Sequence, residues 1–253
     1  MPDGWVLAVG CGVVAGLANV AGGLLAVGQR GWDRVRQSHF VAAGAGFMLA
    51  AVLLRMTPES YRIAASGGGA GLGVGPLILL GYLFVHAAEH VLVGHFHFGE
   101  ETHHEHWVEP VVGTTALLGL LLHTFFDGVS IGSGFLVTPG LGILVAIAVF
   151  LHKVPEGFTV ASIMKAAGRS SRDAALSAAW LGLATLAGVL TISMWSGLVR
   201  YALPFSTGAA LYVAASDLIP AVNETKGIKM ALWVFAGVVL FFGTDELLAL
   251  LGM

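Results

Sequence analysis

The chain has 253 residues, of which 57% are hydrophobic and only 11% charged, with a formal net charge of -3 and one cysteine. A soluble domain carries roughly 25% charged residues, so 12 basic and 15 acidic side chains cannot cover a water-facing surface of this size. The apolar content excludes disorder, the lone Cys11 excludes a disulfide scaffold, and nothing in the charge suggests nucleic acid. What remains, at a mean hydropathy of +0.85, is a polytopic membrane protein.

A bilayer crossing needs about 20 apolar residues. Eight stretches of that kind run at about 5–28, 38–57, 74–96, 111–136, 141–166, 173–198, 203–222 and 229–251. They are continuous rather than alternating, which predicts helices and not a barrel of short strands. The first carries Asp3 and no Lys or Arg at its front, unlike a cleaved signal peptide. The expected fold is all-α: one transmembrane domain over 1–253, built as an eight-helix bundle.

Basic residues favour the cytoplasmic side. Arg30, Arg34 and Arg36 lie between stretches one and two, Lys165, Arg169 and Arg172 between five and six, and Lys226 and Lys229 between seven and eight. The other side holds only Arg55, Arg62 and Arg200. Both termini are therefore expected to be extracytoplasmic. The loop 97–110, between stretches three and four, is then cytoplasmic.

That loop belongs to a tract with five of the chain's 10 histidines, His95, His97, His103, His104 and His106, interleaved with Glu100, Glu101 and Glu105. Imidazole and carboxylate together suit Zn²⁺ and its first-row neighbours. The tract is read as a flexible cytoplasmic metal-capture site, against the plainer reading of a solvated polar loop.

Ionisable groups inside a crossing are costly and usually functional. Stretch four holds His123-Thr-Phe-Phe-Asp127 and stretch five holds His152-Lys153-Val-Pro155-Glu156. In each, His and carboxylate are four residues apart, one turn along a single helix face. Both pairs lie near the middle of their stretch. The short turn Thr138-Pro139-Gly140 makes the two helices antiparallel neighbours. If the faces meet, His123, Asp127, His152 and Glu156 surround one point with two nitrogens and two carboxylates. Pro155 also removes a backbone donor next to Glu156, leaving the Leu151 carbonyl without its usual partner. The alternative is an interhelical hydrogen-bond network with no metal.

The segments HTFFDGVSIG and HKVPEGF resemble crossings four and five of the ZIP (Zrt/Irt-like) metal transporters, and ALYVAASDLIPAVNE (210–224) is similar to that family's crossing seven. The resemblance implies eight crossings, outward termini, a His-rich cytoplasmic loop and divalent metal moving toward the cytosol. By match to the motif, His123, Asp127 and Glu156 take the primary metal site, with His152 beside them. Many family members carry Asn after the first His, and Asp or Asn before the Ile/Val-Pro, to help hold a second bridged metal. This chain has Thr124 and Lys153 there. A protonated ammonium cannot ligate and repels a cation. The departure implies a mononuclear site in which Lys153 replaces the second ion. A lysine snorkelling from mid-crossing would have to reach about 15 Å, further than its stem allows.

Placed by depth, His86, Glu89 and His90 of stretch three and Asp217 of stretch seven lie on the cytoplasmic side of the midplane, as an exit path toward the loop histidines. His39 and Asn19 carry no assignment. The reading is an integral, multi-pass transporter of divalent metal, Zn²⁺ first and Fe²⁺, Mn²⁺, Co²⁺ or Cd²⁺ as alternatives, in the plasma (inner) membrane if the host is a bacterium. The metal is cargo, and neither enzyme activity nor a catalytic cofactor is expected. The expected partners are the metal ions and the lipid bilayer; a homodimer stays open. The rivals are an intramembrane metal-dependent hydrolase, for which no His-Glu-x-x-His pattern exists, and a receptor with a fixed metal.

Overall fold

The structure is a computed structural model that describes residues 2–28, 34–66, 73–92, 110–225 and 227–253. Among these residues there is no strand. Eight helical stretches are long and apolar enough to cross a membrane. The first is α1 (Pro2–Val27). The second is α2 (Arg34–Ala51), which passes through a π-helical turn (Val52–Met56) into α3 (Thr57–Ser66). Then come α4 (Val74–Leu92), α5 (Pro110–Val137), α6 (Pro139–Ala166) and α7 (Ser171–Met194). The seventh starts in a 3₁₀ turn (Ser196–Leu198) and continues as α8 (Val199–Tyr212), a π turn (Val213–Leu218) and α9 (Ile219–Glu224). The last is α10 (Ile228–Leu250).

Two crossings are longer than their apolar stretches. The second continues to Ser66, although the apolar run stops near residue 57. Its polar end is helical because the polar groups find partners on or beside the helix. The Ser60 hydroxyl donates to the Met56 carbonyl at 2.8 Å, Arg62 pairs with Glu59 three residues earlier, and Arg55 reaches Asp245 of α10 at 2.5 Å. The seventh begins at Ser196, seven residues before the apolar run at 203.

Two turns set the helices that matter most. Thr138 caps α6: its hydroxyl accepts from the Leu141 N–H at 3.1 Å, and Pro139 fills the first helical position, where no N–H is needed. The tight turn returns α6 antiparallel to α5. At its far end α6 stops at Gly168, whose φ of +76° suits glycine, and the Arg169 N–H closes on the Met164 carbonyl at 3.0 Å.

Lipid offers no hydrophobic drive for helix to meet helix, so close backbone approach must supply the contact. Here that approach comes from glycines in facing pairs. A Cβ on Gly128 (α5) would lie 1.9 Å from the Thr185 carbonyl oxygen, and one on Gly188 (α7) 2.0 Å from that of Phe125. Gly22 (α1) and Gly157 (α6) face each other's helices in the same way, at 2.0 Å from the Val154 and Asn19 oxygens. So do Gly46 (α2) with Gly237 (α10), and Gly81 (α4) with Gly208 (α8). These pairs join the helices two by two, and the remaining contacts between helices sort the pairs into two groups. One holds α1, α5, α6 and α7; the other holds α2, α4, α8 and α10. The groups meet mainly along α5 with α8, α2 with α6 and α4 with α5. That seam is looser: a Cβ on Gly44 (α2) would stand 3.3 Å from the Leu151 oxygen, the carbonyl that Pro155 leaves without its helical partner.

Candidate metal centre

His123 and Asp127 sit midway along α5, and His152 and Glu156 midway along α6, so the antiparallel turn brings the two pairs to one depth. All four are buried, none more than 6% exposed. One ligand atom from each lies within 4.8 Å of all the others. Asp127 Oδ2 is the hub: His123 Nε2 is 3.2 Å away and His152 Nε2 3.3 Å. His152 Nε2 is 3.8 Å from Glu156 Oε2. Bonds of about 2.0 Å to a tetrahedral Zn²⁺ imply ligand-to-ligand edges of about 3.3 Å. Two of these edges already have that length, and the third needs only a small closure.

The His152 ring is oriented for this role. Its Nδ1 lies 3.2 Å from the Ala148 carbonyl oxygen. A carbonyl only accepts, so Nδ1 carries the proton, and a neutral ring keeps its Nε2 lone pair for a metal.

Lys153 is fully buried and lies inside this cluster. Its Nζ donates to Asp127 Oδ2 at 2.6 Å, to Glu156 Oε2 at 2.5 Å and to the Thr124 hydroxyl at 3.3 Å. Thr124 in turn donates to Glu156 Oε1. The ammonium thus bridges both carboxylates and does not turn toward an interface. With neutral imidazoles the local charge is one negative, which a divalent ion converts to one positive. Thr124, a poor ligand by its chemistry, is here the hydrogen-bond link between Lys153 and Glu156. Spacing alone did not signal that.

The exit-path residues divide. Glu89 of α4 and Asp217 of the second π turn each bring a carboxylate oxygen within 4.8 Å of a His123 nitrogen and of each other. His86 and His90 join neither cluster among the described residues. Their rings lie against each other, centroids 4.0 Å apart, and His90 Nδ1 is 2.9 Å from the His86 carbonyl oxygen. Tyr212 was not singled out by the sequence, yet its ring packs edge-on against Tyr82 and His86, at centroid distances of 5.1 and 5.7 Å. The loop histidines His95, His97, His103, His104 and His106 lie outside the described residues. Asn19, fully buried on α1, has no hydrogen-bond partner for either amide atom.

A buried box of two imidazoles and two carboxylates, midway along two helices that are each long and apolar enough to cross a membrane, could hold a metal ion. The description of the ZIP zinc transporter family matches residues 108–245, more than half of the chain. The chain belongs to the ZIP zinc transporter family. Its similarity to "Zinc transporter GufA" of Myxococcus xanthus is 32% identity over 165 residues, 61% of this chain and 62% of that protein. "Zinc transporter ZIP13" of Pongo abelii is 27% identical over 212 residues, 77% of this chain and 62% of its own length. "Zinc transporter ZIP4" of Homo sapiens is 30% identical over 112 residues, which is only 17% of that protein. The chain thus matches less than two thirds of the length of each of these ZIP relatives. The family match takes in α5 and α6 whole, with all four residues of the buried box.

Proposed function

We propose that this ZIP-family chain carries divalent transition-metal ions, Zn²⁺ foremost, across the membrane toward the cytosol. His123, Asp127, His152 and Glu156 hold the ion at the midplane. The observation that carries the reading is the set of ligand-to-ligand distances about Asp127, 3.2 and 3.3 Å, which suit one tetrahedral ion. The names of the relatives support zinc as the cargo. Since the family match and the chemistry both point to transport, a fixed structural metal or a hydrolytic centre has no observation in its favour.

Lys153 makes the site mononuclear. Its ammonium contacts Asp127 Oδ2 and Glu156 Oε2, so the pair Asp127 and Glu156 faces one divalent ion and one fixed positive charge. The positive-inside bias supports both termini outside and the His-rich loop in the cytosol. There the loop histidines receive the ion and tune its release.

The test is zinc uptake into proteoliposomes by the parent and by Glu156→Ala and Asp127→Ala, with insertion checked for each. Loss of uptake in both variants is the expected result. Near-normal uptake by either one, in well-inserted protein, overturns the assignment.

A further inference from the structure

We propose that the cleft at the α6–α7 turn, rimmed by Lys165, Arg169 and Arg172, is a binding site for an anionic phospholipid of the cytoplasmic leaflet. The site shares no residue with the midplane centre. Only its leaflet rests on the orientation proposed above.

The cleft has a volume of about 240 Å³ and lies between α5, α6 and α7. Its mouth is polar and its walls are apolar. Arg169 and Asp173 stand at the mouth, while Leu117 of α5, Met164 of α6, and Leu176 and Trp180 of α7 line the walls. At 1.5 Å per residue, Leu176 and Trp180 lie about 6 and 12 Å further along α7 than Arg172. They are 45% and 56% exposed, on a helix long and apolar enough to cross a membrane. The apolar wall is therefore open to hydrocarbon, with a tryptophan near the depth where lipid headgroups begin. A charged rim above an apolar slot has the polarity of a phospholipid, headgroup over acyl chain. Enclosed small-molecule pockets measure about 300–1,000 Å³; a smaller cleft, open on one side, suits a chain that stays partly in the bilayer.

The charge at the rim is complementary to that headgroup. The ion pairs among the described residues join Arg55 to Asp245, Arg62 to Glu59 and Lys153 to the midplane carboxylates; none takes up Lys165, Arg169 or Arg172. Lys165 and Arg169 instead donate to neutral hydroxyls, those of Ser171 at 3.1 Å and of Thr114 on α5 at 3.4 Å. The one acid of the turn, Asp173, is tied to the start of α7. Its Oδ2 accepts from the Ser170 hydroxyl at 2.7 Å, and its N–H donates to the same oxygen at 3.1 Å. Segment 165–173 thus keeps three positive charges against one negative. Gly168, with a φ of +76°, turns the chain so that the Arg169 N–H reaches the Met164 carbonyl at 3.0 Å, which sets Arg169 over the cleft wall. The N-terminal end of α7 adds partial positive charge on the same side. Guanidinium forks match phosphate oxygens in pairs, and anionic lipids of the cytoplasmic leaflet draw basic side chains at this level. A soluble anion would need the rim alone; the apolar wall beneath it is what selects a lipid.

The experiment is quenching of Trp180 fluorescence by brominated lipid. The full-length chain, with Trp5, Trp32, Trp107, Trp195 and Trp233 replaced by Phe, is reconstituted in phosphatidylcholine bilayers. Rising fractions of dibrominated phosphatidylglycerol are added, or of dibrominated phosphatidylcholine in parallel. Two net positive charges, each strengthening the attraction about fivefold, predict that phosphatidylglycerol outcompetes phosphatidylcholine at Trp180 by about 10- to 30-fold. R169Q should lower that preference about fivefold, and K165Q/R169Q/R172Q, melting like the parent, should abolish it. A protein that keeps Trp195 alone, at the far end of α7, should show no preference. Equal quenching by the two lipids at Trp180, or a preference that survives in both R169Q and K165Q/R169Q/R172Q, overturns the site. So does an equal preference at Trp195, which would reflect general attraction of anionic lipid to the protein. Inorganic phosphate at matched ionic strength should leave the preference standing; full displacement by it would make the rim a site for a soluble anion and overturn the lipid.

Discussion

Lys153→Met isolates the electrostatic role of the buried ammonium. An ion bound about 2.0 Å from Asp127 Oδ2, at about 120° to the Lys153 Nζ that lies 2.6 Å from the same oxygen, shares that oxygen with the ammonium. The two cations are then about 4 Å apart. At an effective dielectric near 20, a divalent and a monovalent charge at that distance repel by about 8 kcal/mol. If side-chain movement relieves half, about 4 kcal/mol remains, or roughly a thousandfold in Kd. Methionine keeps the length of the stem and removes the charge. Zinc affinity of K153M should therefore rise by about three orders of magnitude, read by competition with a fluorescent chelator in protein lacking the loop histidines. Uptake should slow, because an ion held too tightly leaves slowly. The metal-free protein should melt lower, since removing one partner of a buried ion pair costs about 3–5 kcal/mol, and zinc should restore the loss. A Kd for folded K153M equal to that of the parent, or weaker, would show that the ammonium does not oppose the ion.

Lys153→Asp should raise the zinc stoichiometry at the midplane from one to two, with Thr124→Asn added where the hydroxyl proves too weak a ligand; anomalous scattering counts the ions. Replacing all five loop histidines with Ser should leave uptake working while weakening metal binding on the cytoplasmic side; complete loss of uptake with normal insertion would make the loop part of the obligatory path. Gly128→Ala should prevent proper folding, because the new methyl would sit 1.9 Å from the Thr185 carbonyl oxygen; Gly10→Ala, which meets nothing within 4 Å, should melt like the parent. A Gly128→Ala protein with an unchanged melting temperature would mean that α5 and α7 do not pack through that glycine.

The meeting of the two His/carboxylate pairs is legible in the sequence because helices are regular. A His and a carboxylate four residues apart must share a face, and a three-residue turn forces the two helices together. Lys153 was legible for the same reason: a mid-crossing lysine cannot reach water. What the sequence could not yield is the meeting of Glu89 and Asp217 at His123. Their approach depends on how α4 and α8 dock on α5, and the π turn at Val213–Leu218 shifts the helical phase just before Asp217. A wheel drawn at 3.6 residues per turn misplaces every residue beyond it. His86, His90 and Glu89 shared a face on paper, but only Glu89 turns to His123. The length of the second crossing was hidden differently. Glu59 and Arg62 look like loop residues until they are seen to pair with each other on the helix.

The two helix groups give the two clusters different mechanical characters. All four residues of the buried His/carboxylate box, with Lys153 and Thr124, sit on α5 and α6, which the Gly22–Gly157 and Gly128–Gly188 contacts lock to α1 and α7. A rigid displacement of that group would carry the centre along with its internal distances unchanged. The Glu89, His123 and Asp217 cluster is different, because it draws its imidazole from one group and its carboxylates from the other. It lies across the seam, where the helices meet without reciprocal glycine pairs. Any relative movement of the groups must therefore change the distances from His123 to Glu89 and Asp217 before it changes those to Asp127 and Glu156. His123, which belongs to both clusters, is thus the residue at which a change in packing between the two groups is felt first.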